Sequence, residues 1–161
     1  MNYTIRISGL ASAIAALDPT ILHKPARNLM NRVGIKVQAN ARNNSPIDRG
    51  GLRDSVAYEV DPAAFPKSVR VGSGLEYARA TELGRPAGIM PPVGPLEDWA
   101  QRKGLGARAG WPIALKIRDR GTAPKPFLLP AVTDAEPAIK KYATVFAKEI
   151  EQEAASRGGG V

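Results

Sequence analysis

The side chains that most often perform catalysis are few in this chain, and they form no recognisable catalytic pattern. The 161-residue sequence has one histidine, His23, and no cysteine, so thiolate chemistry and a histidine- or cysteine-rich metal site are excluded. A serine-histidine-aspartate triad would have to use His23. The Gly-x-Ser-x-Gly frame of a nucleophile elbow is missing, because Gly72-Ser73-Gly74 is too short for it. The sequence predicts His23 as a helix-surface residue.

Two pairs of acidic residues could be proposed for hydrolysis, Asp48 with Asp54 and Glu76 with Glu82. Each pair has a simpler structural interpretation. Asp48 can cap a turn, and Glu76 lies in the first turn of a predicted helix, where an acidic group favours the helix dipole. No GxxxxGK[ST] phosphate-binding loop occurs. The sequence therefore favours a protein without catalytic activity, cofactor or metal. A small hydrolase that uses carboxylates is kept as the third hypothesis, after the two given below.

The charge balance indicates a polyanionic or acidic partner. The chain has 23 basic and 15 acidic residues, a net charge of +8. Much of the excess lies between residues 102 and 125, where Asp119 is the only acid. The candidate contacts with DNA or an acidic surface are Arg102, Lys103, Arg108, Lys116, Arg118 and Arg120. No apolar run approaches the length of a membrane span, and no secretory signal is expected.

Hydrophobic periodicity predicts the elements that would position these residues. Alternation predicts strands at 3–7, at 56–60 and from residue 69, the last broken by Gly72 and Gly74. Apolar residues at three- and four-residue steps predict a helix from Pro19 to about residue 43, with Asp18 as its N-cap and a start or bend near Pro25. Further helices are expected at 10–17, 76–83 and 135–154. The fold class is α+β: a small antiparallel sheet packed against a long N-terminal helix and a C-terminal helix.

The middle of the chain has a different composition. Residues 85–95 contain four prolines and two glycines, which predicts irregular structure. Helices are expected at 96–103 and 111–120, with a glycine-rich loop at 104–110 and an extended segment at 124–127. We interpret residues about 85–121 as a helical and loop insertion in one domain at 1–155, followed by a disordered tail at 156–161.

Three spaced segments resemble one known family. Ser45-Pro46-Ile47-Asp48-Arg49-Gly50-Gly51-Leu52-Arg53-Asp54-Ser55 is similar to its S-P-x-(D/T)-x-G-x-L-(R/K)-x-S segment after a long helix. The stretch from Tyr77-Ala78 to Glu82 and Gly84 resembles its Y-A-x-x-x-E-x-G segment. Pro124-Lys125-Pro126-Phe127-Leu128-Leu129-Pro130-Ala131 resembles its P-x-P-F-L-x-P-A segment. The family is that of the neck, or tail-completion, proteins of long-tailed bacteriophages, and the resemblance covers roughly residues 22–150.

The resemblance implies a structural virion subunit that forms a ring, usually six-fold, which completes the tail and joins it to the DNA-filled head. Implied partners are further copies of the chain, head-closure or connector proteins, tail-tube or tail-terminator proteins and packaged DNA, with no membrane. The implied location is the virion neck, and the host cytoplasm during assembly. The structural-motif and interface residues are Ser45, Pro46, Gly50, Leu52, Tyr77, Ala78, Glu82, Gly84, Pro124, Pro126 and Phe127. The chain departs from the pattern at Arg85-Pro86 and in residues 90–121, which only some members carry.

The alternative is a basic nucleic-acid-binding protein that contacts phosphates without sequence preference. The basic cluster motivates it, and such binding should weaken steeply with salt. Trp99 and Trp111 are the only aromatic residues near the cluster, so few side chains are available for base stacking.

Overall fold

The computed structural model describes residues 1–6 and 19–158. The predicted helix at 10–17, the predicted cap Asp18, Ile7 and residues 159–161 lie outside these ranges.

A small antiparallel sheet is the β component of the fold. Within the described residues, β1 (Asn2–Arg6), β2 (Val56–Val60) and β3 (Ser68–Ser73) pair in the order β1-β3-β2. The alternation predicted the shared face correctly, because Val71 lies between Tyr3 and Tyr58 and Val69 lies between Ile5 and Val60. The prediction that Gly72 breaks the alternation was wrong. Gly72 pairs with Asn2 on one side and Ala57 on the other, so the strand continues to Ser73.

The long N-terminal helix is confirmed. A 3₁₀ turn (Pro19–Leu22) leads into α1 (His23–Asn44). Pro25 lies in the first turn of α1, where its missing N–H removes no intrahelical hydrogen bond. The buried side of α1 carries Pro25, Ala26, Leu29, Met30, Val33, Gly34, Val37 and Ala41.

Two side chains of α1 reach the edge strand β2. The Gln38 amide nitrogen Nε2 donates to the Val56 carbonyl at 2.8 Å, and Arg42 Nη2 donates to the same oxygen at 2.9 Å. These bonds fix α1 over the start of β2.

The C-terminal helix α6 (Leu128–Gly158) begins seven residues before the predicted start at 135 and extends beyond the predicted end at 154. Neither proline in this region prevents the earlier start. Pro130 is tolerated in the first turn, and Pro137 lies inside the helix. Pro137 cannot donate to the Thr133 carbonyl, and both residues lie on the exposed side of the helix. The predicted tail at 156–161 is helical through Gly158.

The described residues divide into two compact units, Met1–Ala78 with Pro126–Val161, hereafter the main unit, and Arg79–Lys125. In the main unit α1 packs along α6 and over the sheet, and one apolar cluster fills the space between them. The short helix α2 (Gly51–Ser55) follows α1 in this unit. A second short helix, α3 (Glu76–Leu83), follows β3, and the boundary between the two units falls within it. The two long helices and the antiparallel sheet, which includes the β2–β3 hairpin, confirm the α+β class.

The Arg79–Lys125 unit contains the whole of the predicted insertion. It holds α4 (Val93–Arg102), a 3₁₀ turn (Ala107–Ala109) and α5 (Gly110–Arg120). Residues 93–95 were predicted as irregular, but they form the first turn of α4, with Pro95 in a position that needs no N–H donor. Arg85 and Thr122 form an isolated antiparallel bridge, so both ends of the segment between them meet.

Candidate interface residues

The three segments that resemble the phage family are called the signature segments. The first, Ser45–Ser55, follows the end of α1 and includes α2. The Ser45 hydroxyl is buried and donates to the Ala41 carbonyl at 2.7 Å, which closes the last turn of α1. Gly50 has φ +83°, and its carbonyl accepts the Asp54 N–H at 2.9 Å. Leu52 is buried, whereas Pro46 is exposed. The segment is a folded corner in which Ser45, Gly50 and Leu52 serve the chain's own packing.

Serine hydroxyls connect this corner to the second segment. The Ser55 hydroxyl donates to the Leu52 carbonyl at 2.7 Å, and its Oγ lies 2.8 Å from Ser73 Oγ. Ser73 Oγ in turn accepts the Leu75 N–H at 3.2 Å, just before α3. Sequence reasoning did not identify Ser55 and Ser73 as partners. The register of the β2–β3 hairpin would have predicted this contact, because Val56 pairs with Ser73 and so places Ser55 beside Ser73.

The third segment completes the same core. Phe127 and Leu128 are fully buried and belong to one apolar cluster with Leu52, Ala78 and Ala131. Residues from all three segments are therefore neighbours in the main unit, although they are spread over some eighty positions of the sequence. Phe127 cannot contact another molecule, because it is fully enclosed by its own chain.

Each of the three segments also leaves one large apolar side chain in solvent. The exposed fractions are 65% for Ile47, 47% for Tyr77 and 53% for Leu129. Of these, sequence analysis named only Tyr77 as an interface residue. Exposed branched and aromatic side chains are the groups that a partner protein would cover.

In the Arg79–Lys125 unit, the end of α3 is joined to the residues after α5. Gly84 has φ +75°, and a Cβ there would overlap the Thr122 carbonyl oxygen. The Lys125 N–H donates to the Thr81 carbonyl at 2.8 Å, and Arg85 and Thr122 exchange backbone bonds at 3.1 and 2.9 Å. Glu82 is buried, whereas Pro124 and Pro126 are exposed. Gly84 therefore allows two chain segments to approach closely.

The six predicted cationic contacts are all exposed in the structure. Lys116 and Arg120 are four residues apart and share a side of α5. Arg118 Nε lies 2.8 Å from Asp119 Oδ1, and this hydrogen bond and the Asp119 charge raise the pKa of Arg118 above its ordinary value. The pair removes some of the positive charge that Arg118 would otherwise offer to a phosphate.

The carboxylates weighed for hydrolysis do not share one environment. Asp48, Asp54 and Glu76 are exposed, while Glu82 is buried on a different side of α3 from Glu76. Among residues 1–6 and 19–158, no group of three or more His, Asp or Glu side chains could hold a metal ion. None of the helices in the part of the chain described has the length and hydropathy of a membrane span.

Comparison with known proteins identifies no relative: no protein-family model, curated protein or solved structure matches the chain. The assignment of a function therefore depends on the three segments and on the surface they produce.

Proposed function

We propose that this chain is a structural subunit of a tailed-phage neck, which forms a ring that completes the tail and joins it to the DNA-filled head. The proposal rests on one observation: the three signature segments contain both buried and exposed apolar side chains. Each contributes apolar side chains to one core and leaves one large apolar residue, Ile47, Tyr77 or Leu129, in solvent. A ring subunit needs this combination of a fixed scaffold and uncovered contact residues.

The test uses a tailed phage that encodes this chain, with an amber codon early in its gene. Under non-suppressing conditions we expect DNA-filled heads and complete tails to accumulate separately. Purified chain added to the lysate should restore joined particles, which electron microscopy would count. Normal particles without the chain would overturn the proposal.

Two variants locate the contact in the signature segments. Ile47→Ser combined with Leu129→Ser should lower the yield of joined particles roughly tenfold or more, because each substitution removes apolar area from a protein interface. Ile35→Ser is the matched control, since Ile35 is similarly exposed but lies on α1 outside the three segments. Circular dichroism would check that all variants are folded.

The Arg79–Lys125 unit is tested separately by excision. Because Arg85 and Thr122 are bridge partners, residues 86–121 can be replaced by a two-residue Asn-Gly turn without stretching the chain. We expect a folded subunit that fails to join heads to tails. A shortened chain that still assembles would show that this unit is not needed in the neck.

The second candidate function is nonspecific nucleic-acid binding, which the exposure of all six cationic side chains favours. A gel shift with duplex DNA over a range of salt concentrations would measure it. If the candidate is correct, Lys116→Gln with Arg120→Gln should lower the magnitude of the salt slope by about two. Binding that is weak at physiological salt, with an unchanged slope, would remove this candidate.

A further inference from the structure

The segment from the end of α4 to the first turn of α5 presents two large apolar side chains to solvent among basic residues. Residues 103–111 are referred to below as the 103–111 segment. Its Leu105 is 59% exposed, and its Trp111 is 55% exposed. Lys103 and Arg108 are exposed in the same segment. Its apolar and cationic groups are thus both accessible to a partner.

Hydrogen bonds fix the backbone of this segment. The Leu105 N–H donates to the Ala100 carbonyl at 2.9 Å and the Gly104 N–H donates to the Gln101 carbonyl at 3.1 Å, with Gly104 at φ +74°. This is the Schellman pattern of a helix C-terminus, in which the residue after the glycine usually packs back on the helix. Leu105 instead remains mostly exposed. Because the backbone is already ordered, less conformational entropy is lost when the side chain is covered.

The charge of the residues around the segment indicates which kind of partner it would bind. No acidic residue occurs between Asp98 and Asp119, and the Arg79–Lys125 unit has nine basic and four acidic residues. The rest of the chain is also net positive, with fourteen basic and eleven acidic residues, so a second copy is a less complementary partner than an acidic molecule. The complementary occupant is therefore a different, negatively charged molecule.

We propose that the 103–111 segment binds an acidic protein surface that carries an apolar patch. Lys103 and Arg108 would pair with its carboxylates, and Leu105 and Trp111 would enter the patch. Tryptophan and arginine are the residues that most often dominate the energy of protein interfaces. Nucleic acid fits less well, because Leu105 has no flat face on which a base could stack.

The proposal deepens the proposed function and depends on it for one point, that the partner is a neighbouring ring protein of the neck. The binding chemistry itself is tested with soluble probes. A chain that binds the probe but does not restore head-tail joining would overturn the function and leave the binding surface standing.

Fluorescence anisotropy of labelled probes, added to the full chain, measures the binding. The probes are a glutamate-rich peptide with a central Leu-Leu pair, the same peptide with Ser-Ser in its place, and an oligothymidylate of equal charge. We expect the leucine peptide to bind roughly fivefold or more tightly than the serine peptide, because it can bury apolar area against Leu105 and Trp111.

Leu105→Ser with Trp111→Ser should bring the two peptides to equal affinity. Leu83→Ser is the control, since Leu83 is 53% exposed in the same unit but lies on α3. Lys103→Gln with Arg108→Gln should weaken both peptides. The proposal is wrong if neither peptide binds at low salt, if the two bind equally well, or if the oligothymidylate binds most tightly.

Discussion

The Oγ atoms of Ser55 and Ser73 lie 2.8 Å apart and join the end of α2 to the end of β3. Because the single hydroxyl proton of Ser55 goes to the Leu52 carbonyl, Ser73 donates to Ser55 and accepts from the Leu75 N–H. The buried Ser73 hydroxyl therefore has a partner on both sides.

Ser73→Ala should lower the free energy of unfolding by roughly 1–3 kcal/mol, since it leaves the Leu75 N–H without its acceptor. Urea unfolding followed by circular dichroism would measure the change. Ser156→Ala, at an exposed serine near the end of α6, should change it by less than about 0.5 kcal/mol. If the two substitutions had equal effects, the Ser55–Ser73 contact would not stabilise the fold.

Gly84→Ala should destabilise the chain by roughly 1–3 kcal/mol, because alanine is disfavoured at φ +75° and its Cβ would overlap the Thr122 carbonyl oxygen. The control is Gly94→Ala in α4, where no atom lies within 4 Å of an added Cβ. That change should be neutral or slightly stabilising, since alanine favours helix more than glycine does. Thermal unfolding of both variants would test the difference in sign.

Glu149 connects α6 to α1. Its Oε1 lies 2.7 Å from Arg32 Nη2, and its Oε2 accepts from Asn28 Nδ2 at 3.2 Å. Glu149→Gln should lower the free energy of unfolding by about 1 kcal/mol, with a smaller loss at high salt.

The exposed pair of Glu136 with Lys140, 3.0 Å apart within α6, serves as the comparison. Glu136→Gln should cost only about 0.3 kcal/mol. A Glu149→Gln effect no larger than this, measured by urea unfolding at two salt concentrations, would contradict a structural role for the connection.

Phe127 and Leu129 should behave in opposite ways despite being two residues apart. Phe127→Ala should cost about 3–5 kcal/mol of unfolding free energy, because Phe127 is fully buried in the core. Leu129→Ala should change stability by less than about 0.5 kcal/mol and instead reduce head-tail joining. Urea unfolding together with particle counts would separate the two roles, and a large stability loss at Leu129 would argue against its assignment to an interface.

Elements were predicted correctly where apolar residues recur with a clear helix or strand period. Val56, Tyr58 and Val60 alternate, and they form β2 with the predicted bounds. The predicted start of α6 at residue 135 was wrong, since the helix begins at Leu128 and its first turn tolerates Pro130. Local sequence also cannot distinguish Phe127, just before α6, from Leu129 in its first turn, since their burial depends on tertiary packing.

The candidate surfaces were less predictable than the fold. The six cations are exposed, as is usual for charged side chains, and their proposed contacts stay a prediction. The contact of Ser55 with Ser73 depends on the register of the β2–β3 hairpin. The exposure of Leu105 depends on the geometry of the helix cap at the end of α4. Neither can be inferred from local sequence. Composition therefore located the basic cluster, but it did not show that Leu105 and Trp111 are the exposed apolar side chains beside it.

The two donors that converge on the Val56 carbonyl also limit how this chain can polymerise. β2 is an edge strand, and edge strands invite strand-by-strand growth into extended sheets or fibrils. At the start of β2 a foreign strand would find the acceptor already occupied by Gln38 and Arg42. Addition of a strand that needs the Val56 carbonyl is therefore disfavoured at this end of the sheet.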